Sequence, residues 1–438
     1  MLLCIIFILN CRKSSYPNSS LFIEQFPFKE YNLDNNGNLL FSEINRIDFQ
    51  NSSDCETCHP SHYEEWNNSS HSNSSSNLFF NHRRNEVIEE HGDNTGRFCD
   101  QCHDPIGIIS NGNGENIYEE RGVTCDVCHT MTRVSSPTIA QPHEIVTSKL
   151  FLNPGQGIKY GSIENPQGNT YHDSQYNTIF NQSESCLPCH DLRHEQLETE
   201  VTFTEWSRIP GMAMSGAFSC QQCHMPKKED GTHEHHFVGV DLSYTVLPEE
   251  DPLYPKVLNL INKSAEISFE SNENIELDTI NWNALLNIPI RIESKTGHHL
   301  PSGTSFNREC WLSVEVKEHN EDGNIIFKNG VLDSNTQQLN YLESQLIFFT
   351  SFLITADGDT TQDNLKAKEI INYSLPGMNI KYTNYEFKLN SQLDSIWINA
   401  KLNFRPIKPF IFDNLPNLKN NIPIYTIDEI EKTIHIIN

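Results

Sequence analysis

The C-terminal part of the chain alternates apolar and polar positions, which is the pattern of a β-strand with one buried face. In the stretch DSIWINAKLNFR, Ile396, Ile398 and Leu402 point to one side, and the residues between them point to the other. The stretch WLSVEVKEHNEDGNIIF alternates in the same way and then turns near residues 322–323. Several such strands, with no helical stretch of comparable strength, predict an antiparallel β-sandwich over residues 263–438.

The rest of the chain lacks this period. Residues 12–50 are polar and rich in Asn, which predicts a tether or leading arm. Residues 241–262 are acidic and contain several prolines, which is typical of a linker between domains. Residues 51–240 show little hydrophobic periodicity, so their side chains alone predict no conventional core for this domain.

The N-terminus MLLCIIFILNC is an apolar run that ends at Cys11. It is too short to span a bilayer and predicts an export signal over residues 1–11. The run also resembles a bacterial lipoprotein signal, in which the Cys becomes the lipidated first residue. We therefore expect a protein on the periplasmic or cell-surface side of a bacterial envelope, anchored by lipid on Cys11. The alternative is a cleaved signal that is discarded together with Cys11.

Ten of the 13 cysteines belong to five copies of Cys-x-x-Cys-His. Zinc ribbons use such pairs in twos and do not require a following His, and a disulfide framework gives no reason for the His either. Of the other cysteines, Cys310 is expected to be a buried free thiol on a strand. The five copies are Cys55, Cys58 and His59; Cys99, Cys102 and His103; Cys125, Cys128 and His129; Cys186, Cys189 and His190; and Cys220, Cys223 and His224.

This motif suits the covalent attachment of haem. Two thiols three positions apart can add to the two vinyl groups of one porphyrin, and the adjacent His then lies beneath the iron as its proximal ligand. The sequence thus predicts five c-type haems within residues 51–240. Such a segment cannot wrap five macrocycles and also keep a conventional core, so we expect haem-packed short helices and loops. The predicted fold class is therefore α+β and multidomain, with this haem domain ahead of the β-sandwich.

Several stretches carry a family resemblance. CETCHPSHYEEWNNSSHS, FCDQCHDPIGI, RGVTCDVCHT and SCQQCHMP resemble multihaem cytochromes c of the cytochrome c-552/c-554 type over residues 51–240. IRIESKTGHHLPSGTSFNRECWLSV is similar to a Gly-His-x-x-Pro-x-Gly stretch in a β-rich domain that follows such haem domains. The resemblance implies electron transfer outside the cytoplasm, and a few related proteins reduce or oxidise small nitrogen or sulfur compounds.

Whether each iron has a sixth protein ligand decides between an electron carrier and an enzyme. Two imidazoles close the iron and suit electron transfer, whereas an open position can bind a substrate. His71 matches a distal ligand of the family. His235 competes with His236 for one position, and His82 and His91 compete with His143 for another. The predicted distal ligands are His71, His172, His236, His298 and His143.

The net charge of −27 excludes nucleic acid as a favourable partner and indicates a redox partner with a basic docking surface. No motif replaces its His by Lys, which is the hallmark of the catalytic haem in pentahaem nitrite reductases. We therefore expect an electron carrier with no catalytic residue. The alternatives are an oxidoreductase acting on a small nitrogen or sulfur compound at one five-coordinate haem, and a surface protein whose sandwich binds a partner.

Overall fold

A region of short helices and loops is followed by a region of β-sheets, which confirms the predicted α+β architecture. The structure is a computed structural model. It describes residues 28–29, 48–92, 94–110, 122–134, 150–155, 157–194, 197–212, 218–271, 275, 278–389, 393–413 and 415–437. The predicted export signal, with Cys11, and most of the predicted tether therefore lie outside the described residues.

Helices of the motif region are short because each serves to place a few side chains. Four of the five Cys-x-x-Cys-His motifs overlap a helix, and the fourth motif follows a 3-10 helix at Ser183–Ser185. The described helices of this region are α1 (Ser52–Glu56), α2 (Pro60–Asn67), α3 (Leu78–His91), α4 (Asn94–His103), α5 (Pro105–Ser110), α6 (Cys125–His129), α7 (Thr202–Arg208) and α8 (Cys220–His224). None of the helices in the described ranges has the length and apolar character that crossing a membrane requires.

Small sheets brace these helices. A parallel pairing of β1 with β3 brings the leading segment against the motif region, and β2 pairs antiparallel with β3 on the other side. Two further two-stranded sheets join β4 to β5 and β6 to β7. The strands are β1 (Phe28–Lys29), β2 (Met131–Val134), β3 (Leu150–Leu152), β4 (Ile158–Gly161), β5 (Asp173–Tyr176), β6 (Leu192–His194) and β7 (Leu197–Glu200).

The C-terminal region contains the predicted sandwich. One sheet has the order β12-β11-β18-β19-β9, with β13 also on β11, and the facing sheet has the order β17-β10-β8. A smaller sheet, β15-β14-β16, lies beside them. The strands are β8 (Ala265–Phe269), β9 (Thr279–Asn281), β10 (Leu285–Ser294), β11 (Glu309–Glu318), β12 (Ile325–Asn329), β13 (Ile347–Phe349), β14 (Ser351–Thr355), β15 (Thr360–Thr361), β16 (Ala367–Asn372), β17 (Ile380–Lys388), β18 (Ser395–Arg405) and β19 (Tyr425–Ile437).

Apolar side chains from both large sheets form one core. Leu312 of β11 lies opposite Leu402 of β18, and both are fully buried together with Ile290 of the facing sheet. Cys310 is also fully buried on β11, as predicted. The turn that the sequence predicts near residues 322–323 joins β11 to β12.

One prediction for β18 requires correction. Its second face was expected to be open to solvent, yet Asn399, Asn403 and Arg405 are buried there. The Asn403 amide donates to the Ser313 hydroxyl at 2.9 Å, and the Arg405 guanidinium donates from Nε to the Glu309 carboxylate at 2.7 Å. Polar side chains are buried at low cost when partners satisfy them, so alternation of polarity did not report exposure here.

The segment predicted as a linker packs into the sandwich. Within residues 241–262 the chain forms α9 (Tyr254–Ile261), whose Val257 and Ile261 are buried in the same core as the strands. Pro255 stands at the start of this helix, where a missing N–H leaves no donor unsatisfied. A last short helix, α10 (Pro416–Lys419), precedes β19. The segment that connects the motif region to the sandwich is therefore packed against the sandwich.

The core predicts a clear difference between two leucine substitutions. Leu402→Ala should lower the free energy of unfolding by about 2–5 kcal/mol, because it leaves a cavity between the sheets. Leu342→Ala is the control, since that side chain is 94% exposed and its loss should change stability by less than about 0.5 kcal/mol. Denaturant titration of both variants measures this, and equal effects would contradict the assigned core.

Candidate haem-binding site

A cavity of about 1990 Å³ runs through the motif region, and residues from all five Cys-x-x-Cys-His motifs line it. Sites for one drug-sized ligand enclose about 300–1,000 Å³, so this cavity has room for several ligands. Its walls also include the loop between β10 and β11, residues 295–304. The motif region thus surrounds space in place of a dense apolar core.

Helical geometry explains how a motif presents its three chemical groups. Within α6 the first Cys, the second Cys and the His stand at positions i, i+3 and i+4, which share one face of a helix. The same holds for α8, where Ser219 and Gln222 form a capping box that fixes the first turn. Both thiols and the imidazole of a motif are therefore held toward the same part of the cavity.

Imidazoles from distant parts of the chain face each other across the cavity. Metal–imidazole bonds are about 2.0–2.1 Å long, so two imidazoles on opposite sides of one metal have ring centres roughly 6.3 Å apart. Five described pairs that contain one motif His have this spacing; one of them, His59 with His62 at 6.2 Å, joins neighbours in sequence whose rings stand at 74°, and the other four join distant parts of the chain. They are His59 with His172 at 6.4 Å, His71 with His190 at 6.3 Å, His129 with His235 at 6.2 Å, and His224 with His298 at 6.3 Å.

Backbone carbonyls orient these rings. Among the motif residues, Nδ1 of His129 bonds the Tyr160 carbonyl at 2.8 Å and Nδ1 of His224 bonds the Val238 carbonyl. On the opposite side, Nδ1 of His298 bonds the carbonyl of the next residue at 2.9 Å. A proton held on Nδ1 leaves Nε2 as the free ring nitrogen, so these bonds select the tautomer that can ligate a metal.

Burial keeps three of the facing imidazoles neutral. It lowers the pKa of His71 to about 3 and that of His298 to about 4, and it also lowers the pKa of His235 to about 3. A neutral imidazole is the form that binds a metal. The residues present therefore fit a c-type haem, with thiols for its vinyl groups and paired imidazoles for its iron.

One predicted distal residue is replaced by its neighbour. His235, and not His236, faces His129, and its ring also packs edge-on against His62 at 4.8 Å. His236 points the other way, with Nδ1 3.2 Å from the Glu234 carboxylate. In an extended segment adjacent side chains point to opposite sides, so a register error of one residue reverses the assignment.

His103 differs from the other four motif histidines. Its ring stacks on Phe80 with centres 3.9 Å apart, which leaves no room for a metal between them. Of the two histidines that compete with His143 for a distal position, His91 is held by Asp363 at 2.6 Å, and Nε2 of His82 lies 3.4 Å from Glu86. His143 lies outside the described residues. Within the described ranges, His103 therefore has no facing imidazole.

Two glycines allow the backbone to carry distal residues into the cavity. Gly122 has φ +97, and a Cβ there would lie 2.5 Å from the carbonyl oxygen of Ser72, beside His71. A Cβ on Gly377 would lie 2.6 Å from the carbonyl oxygen of His298. Both positions therefore require Gly, the first for its conformation and its space and the second for the close approach of two backbones.

Neighbouring motifs contact one another directly. The Cys125 thiol is close enough to that of Cys55 to lower the pKa of Cys55, and the Cys186 thiol likewise lowers the pKa of Cys220. The backbone supports both pairs in the same way. In each pair the N–H of the later Cys donates to the hydroxyl of the Ser that stands three residues before the earlier Cys. These bonds join Cys125 to Ser52 at 3.2 Å and Cys220 to Ser183 at 3.1 Å. Cys189 of the fourth motif also contacts Cys102 of the second.

Comparison with known proteins agrees with this geometry. Residues 54–130 match the family described as cytochrome c554 and c-prime. The chain is also similar to the penta-heme cytochrome c552 from Thermochromatium tepidum, with 17% identity, a TM-score of 0.65, and coverage of 89% of this chain and 100% of that chain. Part of the motif region is thus similar to the cytochrome c554 and c-prime family, and the fold is similar to that of a penta-heme cytochrome c552. The thiols and imidazoles of this region fit c-type haem.

The cytochrome c552 alignment extends through most of the chain, so the β-sheets belong to the shared fold as well. Two other structures, the CARDB domain of PF1109 from Pyrococcus furiosus and Spo0M from Bacillus subtilis, each cover 40% of this chain. They are 8% and 6% identical to this chain, and the matches cover 86% and 50% of their own lengths. Their TM-scores of 0.17 and 0.15 are too low to support a conclusion about the fold. A search of curated proteins found no match.

The geometry predicts opposite results at two adjacent histidines. His235→Ala should produce one haem's worth of high-spin signal, because the ring facing His129 is lost. His236→Ala should leave the spin state unchanged, since that ring contacts Glu234 instead. Electron paramagnetic resonance of the ferric proteins distinguishes them, and a high-spin signal in the His236 variant alone would reverse the assignment.

Proposed function

We propose that this protein is an exported electron carrier with five covalently attached haems, one on each Cys-x-x-Cys-His motif. The observation that carries the proposal is the set of four imidazole pairs at a separation suited to a shared metal. Iron with two imidazole ligands is closed to substrates and suited to transferring electrons. The pairs supply His172, His71, His235 and His298 as distal ligands, and His143 remains the candidate for the fifth iron.

Contacts between motifs support a continuous electron path. The thiol contacts link the first motif to the third and the fourth motif to both the second and the fifth. The thiol of Cys128 in the third motif also lies close enough to that of Cys189 to raise its pKa further above the value set by burial. Each motif thus adjoins at least one other, and we propose that electrons pass between haems along these contacts.

The setting of the carrier is proposed from sequence. The apolar run ending at Cys11 supports export and lipid attachment at that residue, on the outer side of a bacterial membrane. A single acyl chain anchors only marginally, so stable attachment takes more than one. The net charge of −27 supports a redox partner with a basic docking surface, whose approach would slow as salt increases.

An oxidoreductase is the second candidate, favoured by one observation. Within the described ranges His103 faces no imidazole, so the haem of Cys99 and Cys102 would have an open position if no other residue ligates it. A small nitrogen or sulfur compound could then bind that iron. No residue of the chain is assigned a catalytic role in either proposal.

The first prediction concerns the intact mass. The mature protein should exceed its polypeptide, counted from Cys11, by five haems and the acyl groups of a lipoprotein. Mass spectrometry of protein expressed with haem attachment and lipidation enzymes measures both, and Cys11→Ser is the control that should lose only the lipid. Four haems or fewer would show that one motif is idle, and an unlipidated product would remove the anchor from the proposal.

Carbon monoxide decides between carrier and oxidoreductase. If His143 closes the fifth iron, the ferrous protein should keep its Soret band when carbon monoxide is added, whereas His143→Ala should bind one carbon monoxide per molecule. His82→Ala is the matched control and should behave like the unmodified protein. Stoichiometric binding to one haem of the unmodified protein would instead support the oxidoreductase and would remove His143 from the ligands.

A further inference from the structure

The four imidazole pairs that join distant parts of the chain differ in the angle between their ring planes. The rings of His71 and His190 are tilted by 51°, whereas the ring planes of the other three pairs stand at 21–29° to each other. All four pairs have nearly the same separation of ring centres, so distance does not account for the difference. A separate contact must hold one ring of the tilted pair at its angle.

The ring of His71 is held differently from the other facing imidazoles outside the motifs. Its Nδ1 is buried and has no hydrogen-bond partner within the described ranges. By contrast, Nδ1 of His172, His235 and His298 each lies 2.9–3.0 Å from a backbone carbonyl oxygen. The backbone of His71 is fixed, because its carbonyl accepts from the N–H of Val123 at 3.0 Å. Packing alone therefore decides how its ring turns about the side-chain bonds.

The ring of Phe237 supplies this packing. Its centre lies 4.3 Å from the centre of the His71 ring, with 57° between the two planes. The same Phe237 ring meets the ring of His235 edge-on, with centres 5.7 Å apart. One aromatic side chain therefore stands between the imidazole that faces the fourth motif and the imidazole that faces the third.

The backbone of Phe237 shows that its surroundings impose this placement. Its φ of +48 lies in the left-handed region, which is disfavoured for residues with a Cβ and most of all for bulky ones. Such conformations persist where neighbouring contacts over-determine them, and they are frequent at ligand sites. On one side of Phe237, the Val238 carbonyl is bonded to Nδ1 of His224. On the other side, the N–H of His235 donates to the Glu65 carboxylate at 2.9 Å.

We propose that Phe237 is a positioning residue that holds the ring of His71 tilted against that of His190, and that this tilt makes the iron between them easier to reduce. The proposal rests on the proposed electron-carrier function. Two parallel imidazoles donate to the same iron orbital and favour ferric iron, whereas tilted imidazoles divide their donation between two orbitals and weaken that preference. In the step, ferric iron gains one electron from the redox donor, and no bond forms or breaks.

The position of the fourth motif gives the tilt a role in the electron path. Its Cys189 contacts Cys102 of the second motif, and its Cys186 contacts Cys220 of the fifth. An iron that is easier to reduce at this junction holds an electron between two neighbouring haems. The ring of Phe237 therefore acts on the order in which the haems fill, although it binds no iron itself.

Electron paramagnetic resonance of the ferric holoprotein tests the ring angle, because the low-spin signal moves to higher g as two ligand planes turn away from parallel. In the native protein, one low-spin signal should lie at higher g than those of the three near-parallel pairs. Phe237→Leu should move this signal toward theirs, since leucine keeps apolar bulk without a flat ring and is tolerated in packed sites. Phe237→Tyr keeps the ring and should keep the native signal.

Spectroelectrochemical titration of the same proteins measures the consequence. In Phe237→Leu the reduction equilibrium of one haem should move toward ferric iron by up to about tenfold, because a contact between two aromatic rings can oppose the preferred angle by no more than its own energy. A tenfold change is 59 mV for a one-electron couple. His236→Ala is the matched control, since that ring lies next to Phe237 but contacts Glu234, and it should keep the native signal and potential.

Three results would overturn the proposal. They are a native spectrum without a separate signal at higher g, which needs no variant, a signal that stays in place in Phe237→Leu, and the same change in His236→Ala. The tilt would then belong to the segment that carries His190. The electron count of the titration tests the carrier function separately, because a full complement of reducible haems with an unchanged ring angle would remove only the role of Phe237.

Discussion

The separation of 6.3 Å between the ring centres of facing imidazoles is the constraint on which the motif region depends. A pair such as His71 and His190 joins segments far apart in sequence, and the rings must meet within a few tenths of an ångström. Short helices suit this requirement, because each has to position only two thiols and one imidazole ring. The strands and the backbone hydrogen bonds between the helices keep these side chains in place. The space they surround explains why the segment lacks hydrophobic periodicity.

Some of this architecture could be predicted from sequence because the responsible signals are local. The spacing of Cys125, Cys128 and His129 is typical of one kind of site, and the alternation of apolar and polar residues in β18 follows from strand geometry. Both signals can be recognised without knowledge of the rest of the chain. The β-rich C-terminal region was therefore predicted correctly, and the haem-binding role of the motif histidines stays a prediction.

Other features depend on tertiary contacts and could not be predicted in this way. Nothing in the sequence near His172 states that it faces His59, since loop closure brings them together. His235 and His236 are chemically identical neighbours, and only the direction of the chain separates them. The prolines around Tyr254–Ile261 predict a linker, because they outweigh the short apolar face of this helix. Alternation along β18 predicts that Arg405 faces solvent, because its buried partner, Glu309, lies on another strand.

The loop that carries His298 has a consequence for how the molecule matures. Cys220 and Cys223 precede the sandwich in the chain, whereas His298 lies in the loop between β10 and β11. The imidazole opposite His224 arrives only after the sandwich has formed and Gly377 has let the two backbones approach. The attachment residues and the facing imidazole of this site thus belong to different parts of the fold. A haem held there would become low-spin only when the C-terminal half has folded.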